Sequence, residues 1–168
     1  GFDTLGLALQ THSIFHFELN DKLDFVGFEK EFCNENNLVY IAFKKTLNFL
    51  NKSIDGVKIS LIEQAPIARG LGSSATCVVA GIFGAYLLTG TEINKNDILK
   101  IATELEGHPD NVAPAIFGNL CASCLVDDIL PVSTHCLPST YISAFTFLLF
   151  IRTQTYWVKV HPNDLILI

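Results

Sequence analysis

Apolar and polar residues alternate with a period of two in the first third of the chain. Residues 13–19 set Phe15, Phe17 and Leu19 against Ile14, His16 and Glu18, and residues 56–62 show the same alternation. Successive side chains of a strand point to opposite faces of a sheet, so both stretches predict half-buried strands. Residues 23–28 are predicted to form a further strand between them.

Elsewhere the apolar spacing is that of helices. Asn36 or Asn37 can cap a helix that runs to about residue 50, and a second amphipathic helix is predicted from Asn94 to Gly107. The almost wholly apolar run at residues 77–88 predicts a buried core helix, too short to span a bilayer. The inner faces of the two amphipathic helices are formed by Val39, Phe43, Leu47 and Leu50, and by Ile98, Ile101, Ala102 and Leu105.

Strand-like segments follow at residues 119–126, 129–132 and 141–151, with a turn at residues 127–128. Helices and strands are mixed along the chain, which predicts the α+β class. With 168 residues, of which 49% are hydrophobic and 17% charged, the chain can bury a substantial core.

The charge balance limits the possible partners. A formal net charge of −6 argues against an extended nucleic-acid surface, although a local phosphate site remains compatible with it. No stretch predicts a membrane span. The five cysteines are odd in number and lie mostly in apolar surroundings, which favours reduced thiols and a cytoplasmic protein. A zinc site at Cys121 and Cys124, with His135 and Cys136, is a minor alternative because a second cysteine pair is missing.

Glycines and serines precede the core helix in a pattern that suits an anion. Gly70 and Gly72 allow backbone with positive φ, and Ser73 and Ser74 then begin a helix whose first N–H groups are unpaired. Phosphate would meet those donors and the positive end of the helix dipole. An ordinary glycine turn with serine caps is the alternative. The P-loop of the common NTPases is excluded, since no Gly-Lys-Ser/Thr follows.

Three motifs carry a family resemblance. Residues 66–75, Pro-Ile-Ala-Arg-Gly-Leu-Gly-Ser-Ser-Ala, resemble the phosphate-loop motif of the GHMP kinases. Residues 106–115, Glu-Gly-His-Pro-Asp-Asn-Val-Ala-Pro-Ala, resemble the segment that distinguishes homoserine kinases within that superfamily, although a local interpretation makes Asp110 a helix cap. Gly1-Phe2-Asp3 resembles the end of the first motif of homoserine kinases. The resemblance covers residues 1 to about 151.

The resemblance implies a fold and a set of site residues. It implies a ribosomal-protein-S5 domain-2-like ATP-binding domain at residues 1–134, and the start of a ferredoxin-like domain at residues 135–168. It also implies Mg²⁺ at Ser74 and Glu104, with Glu106 as a structural residue, and catalytic roles for Ser74, Glu104 and Asn111. L-homoserine is expected at Asp3, His108, Asp110 and Asn111. ATP is expected on Pro66, Ile67, Ala68, Arg69, Gly70, Leu71, Gly72, Ser73, Ser74, Ala75 and Thr76.

The chain ends invite further expectations. The absence of Met and the start at Gly1 indicate an internal fragment, and the sequence after about residue 151 departs from the family pattern. A frameshift or a truncated gene model would explain the departure. The resemblance implies ATP-dependent phosphorylation of homoserine by the intact parent, for which a homodimer is an expectation, whereas the fragment is expected to be inactive. Another GHMP small-molecule kinase and a catalytically dead nucleotide-binding remnant are the alternatives.

Overall fold

The computed structural model describes residues 4–8, 13–63 and 72–123, together with the backbone of three short strands at residues 132–135, 159–161 and 165–167. The strands are β1 (Thr4–Leu7), β2 (Ile14–Leu19), β3 (Asp24–Val26), β4 (Val57–Glu63), β5 (Leu120–Ser123), β6 (Val132–His135), β7 (Lys159–His161) and β8 (Leu165–Leu167). The α-helices are α1 (Leu38–Phe49), α2 (Ser73–Leu88), α3 (Lys95–Glu106) and α4 (Val112–Phe117), and a 3₁₀ helix spans Lys30–Phe32. This mixture confirms the predicted α+β class.

Two sheets organise these elements. The larger has the strand order β3-β4-β2-β8-β7, and the smaller has the order β1-β5-β6. Strand β3 runs parallel to β4, and helix α1 makes the connection between them. Strand β2 pairs antiparallel with β4, which sets Phe17 beside Ile59. The strands predicted at residues 13–19 and 56–62 are therefore confirmed, although Leu19 at the end of β2 is exposed.

The core lies between the larger sheet and helices α1, α2 and α3. Helix α2 is buried along most of its length, from Ala75 to Tyr86, which explains why its sequence has no polar face. Phe17 stacks on Phe43 with ring centroids 6.0 Å apart, which joins the sheet to α1. This packing fixes the N-terminal end of α2 relative to its neighbours.

Helix ends follow the local signals of the sequence. The Asn37 side chain accepts a hydrogen bond from the Val39 N–H at the start of α1, and the Asn94 side chain caps α3 in the same way. Gly107 ends α3 with a φ of 85°, in the left-handed region that favours glycine. The caps predicted for these two helices are confirmed.

The C-terminal part is described only in pieces. Strand β6 spans Val132–His135 and pairs with β5, with Val132 opposite Ser123. The predicted strand covered residues 129–132, of which residue 132 alone is described. Strand β8 pairs with β2 and thereby joins the larger sheet. The turn at residues 127–128 and the strand at residues 141–151 lie outside the described residues. The domain boundary after residue 134 stays a prediction. Among the described residues, no helix has the length and apolar character needed to cross a membrane.

Candidate functional site

The N-terminus of α2 has the geometry of an anion site. Gly72 precedes the helix with a φ of 69°, and its carbonyl accepts bonds from the Thr76 N–H at 2.9 Å and the Thr76 hydroxyl at 3.1 Å. The N–H groups of the first turn have no partner within the helix, and the helix dipole adds positive potential there. Residues 66–71 of the predicted phosphate loop lie outside the described residues.

Ser74 in the first turn of α2 meets a carboxylate from the end of α3. The Ser74 hydroxyl donates a 2.5 Å hydrogen bond to Glu106 Oε1. Glu104, two residues earlier, points away and forms a 3.0 Å ion pair with Lys45 of α1. The structure thus brings together Ser74 and Glu106, but not the predicted metal pair of Ser74 and Glu104.

The short turn between α3 and α4 presents a connected set of polar groups. His108 Nδ1 and Asp110 Oδ1 form a short contact, and the same Asp110 oxygen accepts bonds from the Asn111 N–H at 2.8 Å and from Asn111 Nδ2 at 3.2 Å. Asp110 does not cap α4 as the local interpretation expected, since Asn111 is the N-cap residue. Three of the four predicted substrate residues are therefore joined into one cluster, which starts two residues after Glu106.

Strand β1 lies directly against this cluster. A Cβ added to Gly6 would be 2.4 Å from the Asp110 carbonyl oxygen and 2.6 Å from Pro114 Cγ, so only glycine allows the observed approach. Strand β1 begins one residue after Asp3. Asp3 itself lies outside the described residues, and its predicted role stays a prediction.

A cavity of about 380 Å³ opens beside the first turn of α2. Its volume lies in the range typical of small-molecule sites. The described residues that line it come from four separate segments of the chain, namely Gly27, Phe28, Glu29, Phe32, Asn37, Leu38, Leu61, Ser73, Ser74 and Cys77. A second hollow, of about 420 Å³, lies at the opposite end of α2 around Leu88 and Thr89.

The wall of the first cavity is mostly apolar, and Glu29 is the charged residue among its described lining. Burial raises the pKa of the Cys77 thiol to about 12, and the nearby Glu106 carboxylate adds to the increase, so Cys77 stays neutral at physiological pH. The Phe32 side chain is 48% exposed although it is aromatic. An apolar cavity that ends at a helix N-terminus can hold a ligand with a flat apolar part and an anionic part.

Sequence reasoning did not identify these cavity residues. Only Ser73 and Ser74 were among the predicted nucleotide contacts, and Asn37 was predicted only as a cap. The available signal was Phe32 within the otherwise polar stretch at residues 29–37. Among the residues that the structure describes, no three His, Cys, Asp or Glu side chains cluster as a metal site would require.

The chain is similar to known small-molecule kinases. Residues 37–119 match the family described as GHMP kinases N terminal domain. A homoserine kinase from Clostridium beijerinckii is 48% identical over 122 residues, which cover 71% of this chain and 41% of the relative. One from Clostridium botulinum is 43% identical over 127 residues, which cover 74% of this chain and 43% of the relative. The chain therefore spans about two fifths of the length of these curated relatives.

Solved structures agree with the sequence matches. The homoserine kinase from Cytophaga hutchinsonii is 27% identical, with a TM-score of 0.59 over 76% of this chain and 44% of that protein. A D-glycero-D-manno-heptose 1-phosphate kinase is 16% identical with a TM-score of 0.65, over 77% of this chain and 49% of that protein, and shows the shared fold. The predicted GHMP-kinase N-terminal fold is confirmed: residues 37–119 form a GHMP kinase N-terminal domain, and homoserine kinases are among the relatives of the chain.

Proposed function

We propose that this chain provides the nucleotide-binding part of an ATP-dependent homoserine kinase, which transfers the γ-phosphoryl group of ATP to the hydroxyl of L-homoserine to give O-phospho-L-homoserine. The observation that carries the proposal is the apolar cavity that opens at the N-terminus of α2, where Ser74 meets Glu106. The similarity to homoserine kinases over more than 70% of the chain supports the choice of substrate.

In this proposal the nucleotide lies along the cavity. The base contacts the apolar wall around Phe32 and Leu61, and the phosphates meet the first-turn N–H groups of α2 and the residues of the Gly-Leu-Gly-Ser-Ser loop. Backbone donors are already oriented in a helix start, so the chain neutralises phosphate charge without reorganisation. Positioning and charge neutralisation account for most of the catalysis in phosphoryl transfer.

The donor set at the end of α3 fits a hard cation. Mg²⁺ prefers oxygen ligands and is usually held by one or two carboxylates together with substrate phosphates. The Ser74 hydroxyl and the Glu106 carboxylate supply such oxygens beside the predicted phosphate position. When bound, Mg²⁺ would neutralise charge that develops on the transferring group. The contact between Ser74 and Glu106 favours Glu106 over Glu104 as the carboxylate that holds Mg²⁺. The assignment of Glu104 stays a prediction that a pair of substitutions can test.

The substrate groups of the proposal are the cluster at the start of α4. Asp110 holds His108 on one side and Asn111 on the other, so the polar atoms of all three are fixed relative to one another. His108 is 56% exposed and can still reach a ligand. These residues would hold the polar groups of homoserine near the γ-phosphate, with Asp3 as a further proposed contact. Homodimer formation and a cytoplasmic location stay predictions.

Binding assays on the chain itself test the nucleotide site, and turnover assays on the intact parent test the reaction. We expect ATP binding by titration calorimetry, and strong weakening by Gly72→Val, because valine does not tolerate a φ of 69° and would fill space needed by phosphate. Ser74→Ala should raise the Mg²⁺ concentration that binding requires, whereas Ser60→Ala on strand β4 serves as the matched control. Unchanged binding in both Gly72→Val and Ser74→Ala would refute the nucleotide site.

Two other functions remain as outcomes of binding and turnover assays on the intact parent, tested against a panel of alcohols. ADP release that depends on another alcohol, and not on homoserine, would identify a different GHMP kinase. ATP binding without ADP release on any alcohol of the panel would indicate a nucleotide-binding remnant.

A further inference from the structure

The cavity has one wall of which only the N-terminal half is held by hydrophobic packing. This wall segment, residues 28–33, contains the 3₁₀ helix Lys30–Phe32, none of whose residues is buried. Glu29 at its start makes no side-chain cap. Nevertheless the segment supplies Phe28, Glu29 and Phe32 to the cavity lining.

The N-terminal half of the wall segment is anchored by packing. Gly27, with a φ of 80°, lies so close to β4 that an added Cβ would be 2.1 Å from the Leu61 carbonyl oxygen. The Phe28 ring lies 5.5 Å from that of Phe25 and 6.4 Å from that of the buried Phe15, measured between centroids. The C-terminal half has no comparable anchor, since Phe32 is 48% exposed.

Asn37 supplies the missing anchor. Its Nδ2 donates a 2.8 Å hydrogen bond to the Phe32 carbonyl oxygen, while its Oδ1 accepts the Val39 N–H at 2.9 Å. The Asn37 residue is only 5% exposed and itself lines the cavity. A bond shielded from water contributes more than an exposed one, because its groups cannot be satisfied by solvent.

The other side-chain hydrogen bonds near the wall segment stabilise it less. Asn34 Nδ2 donates to the Glu31 carbonyl oxygen at 2.6 Å, but that bond is exposed to water. The Cys33 thiol lies 3.4 Å from the Glu29 carbonyl oxygen, and a thiol is a weak donor. Within the described residues, Asn37 is therefore the buried side chain that ties this wall to the start of α1.

We propose that Asn37 is a positioning residue for the nucleotide: its cap fixes the start of α1, and its amide holds the Phe32 wall against the place of the base. This inference rests on the proposed nucleotide site. Asn37 acts through the wall segment and not through contact with phosphate. Its removal should weaken binding of the base and leave binding of a bare polyphosphate unchanged.

The chain offers a matched control in Asn94, the N-cap of α3. Asn94 Oδ1 accepts the N–H groups of Asn96 and Asp97, so its capping role resembles that of Asn37, without a wall to hold. Serine is also a good N-cap but is too short to reach a distant carbonyl. Asn37→Ser and Asn94→Ser therefore alter a cap in the same way, and only the first removes the bond to Phe32.

Two measurements test the proposal. By calorimetry, Asn37→Ser should weaken ATP binding about tenfold, the equivalent of one lost hydrogen bond of about 1.4 kcal/mol. Binding of inorganic tripolyphosphate should stay unchanged, and Asn94→Ser should leave both ligands unaffected. By hydrogen exchange without ligand, the amides of Phe32 and Cys33 should exchange about tenfold faster in Asn37→Ser, because the wall opens more often.

The outcomes separate this inference from the proposed function. Unchanged exchange of the wall amides, or faster exchange with unchanged ATP affinity, would overturn the positioning role. Equal weakening of ATP and tripolyphosphate would also overturn it, because the effect would then lie at the α2 N-terminus. If the unsubstituted chain bound no ATP, the proposed function would fail and the role would fail with it. Asn37→Asp is nearly isosteric and keeps a good cap, and its wall amides should exchange as fast as those of Asn37→Ser. Unfolding of both Asn37→Asp and Asn37→Ser would make Asn37 a general stability residue and contradict the inference.

Discussion

The separation of α1 and α2 should depend on the absence of a side chain at position 81. A Cβ added to Gly81 would lie 2.1 Å from the Val39 carbonyl oxygen, 2.9 Å from Ala42 Cβ and 3.0 Å from the Phe43 nitrogen. Two of these are backbone atoms of α1, which cannot turn aside as a side chain can. To bring the first contact to even 3.0 Å, the helices must move apart by about 0.9 Å (3.0 minus 2.1).

The expected cost of Gly81→Ala follows from two opposing terms. Overpacking a tight interior costs about 1–3 kcal/mol, and two rigid backbones in contact place this site at the upper end. Replacing glycine by alanine inside a helix returns about 1 kcal/mol. The net loss is about 2 kcal/mol of unfolding free energy, which lowers the melting temperature by about 4–8 °C for a chain of this size.

Gly84→Ala in the same helix is the matched control. It gains the same helix propensity, but its Cβ would meet the Phe17 ring, with the closest atom at 2.5 Å. The ring is a side chain that can shift, so the net loss should be smaller, below about 1 kcal/mol. Urea unfolding followed by circular dichroism measures both. A Gly81→Ala variant as stable as the unsubstituted chain, or more stable than Gly84→Ala, would refute the reasoning.

The remaining predictions concern the site and its surroundings. Glu106→Gln should raise the Mg²⁺ concentration needed for ATP binding, whereas Glu104→Gln should not, because the Glu104 carboxylate pairs with Lys45. Calorimetry at several Mg²⁺ concentrations measures both effects, and the reverse result would support Glu104 as the metal ligand. Since the Cys77 pKa is about 12 in the folded chain against 9.0 ordinarily, the unfolded thiol ionises first and stability falls as pH rises past 9. Between pH 8 and 10 the free energy of unfolding of the unsubstituted chain should fall by about 1.4 kcal/mol more than that of Cys77→Ala, as measured by urea unfolding. Equal decreases in the two chains would contradict the burial argument. Gly6→Ala should destabilise the chain by about 1–3 kcal/mol in the same melts, because β1 would be pushed off the Asp110 turn; an unchanged melt would contradict that close approach.

Much of the local structure could be predicted from the sequence. The start of α3 at Asn94 and its end at Gly107 were predicted correctly, and the start of α1 was narrowed to Asn36 or Asn37, of which Asn37 is the cap. A cap is predictable because it is a set of hydrogen bonds among residues within about one turn of each other. The buried helix was predicted from its unbroken apolar run. The phosphate loop and the substrate role of the His108 segment were inferred from motif resemblance, and both stay predictions.

The arrangement of the site was decided by the tertiary structure. Glu104 and Glu106 lie two apart on one helix, but their partners depend on where α1 and α2 cross α3. The cavity likewise combines segments that begin at Gly27 and end at Cys77, so its walls exist only after β4 and both helices have packed. Local hydrogen bonds fix helix ends within a few residues, whereas ion pairs and cavities between elements depend on distances set by side-chain packing across the whole core.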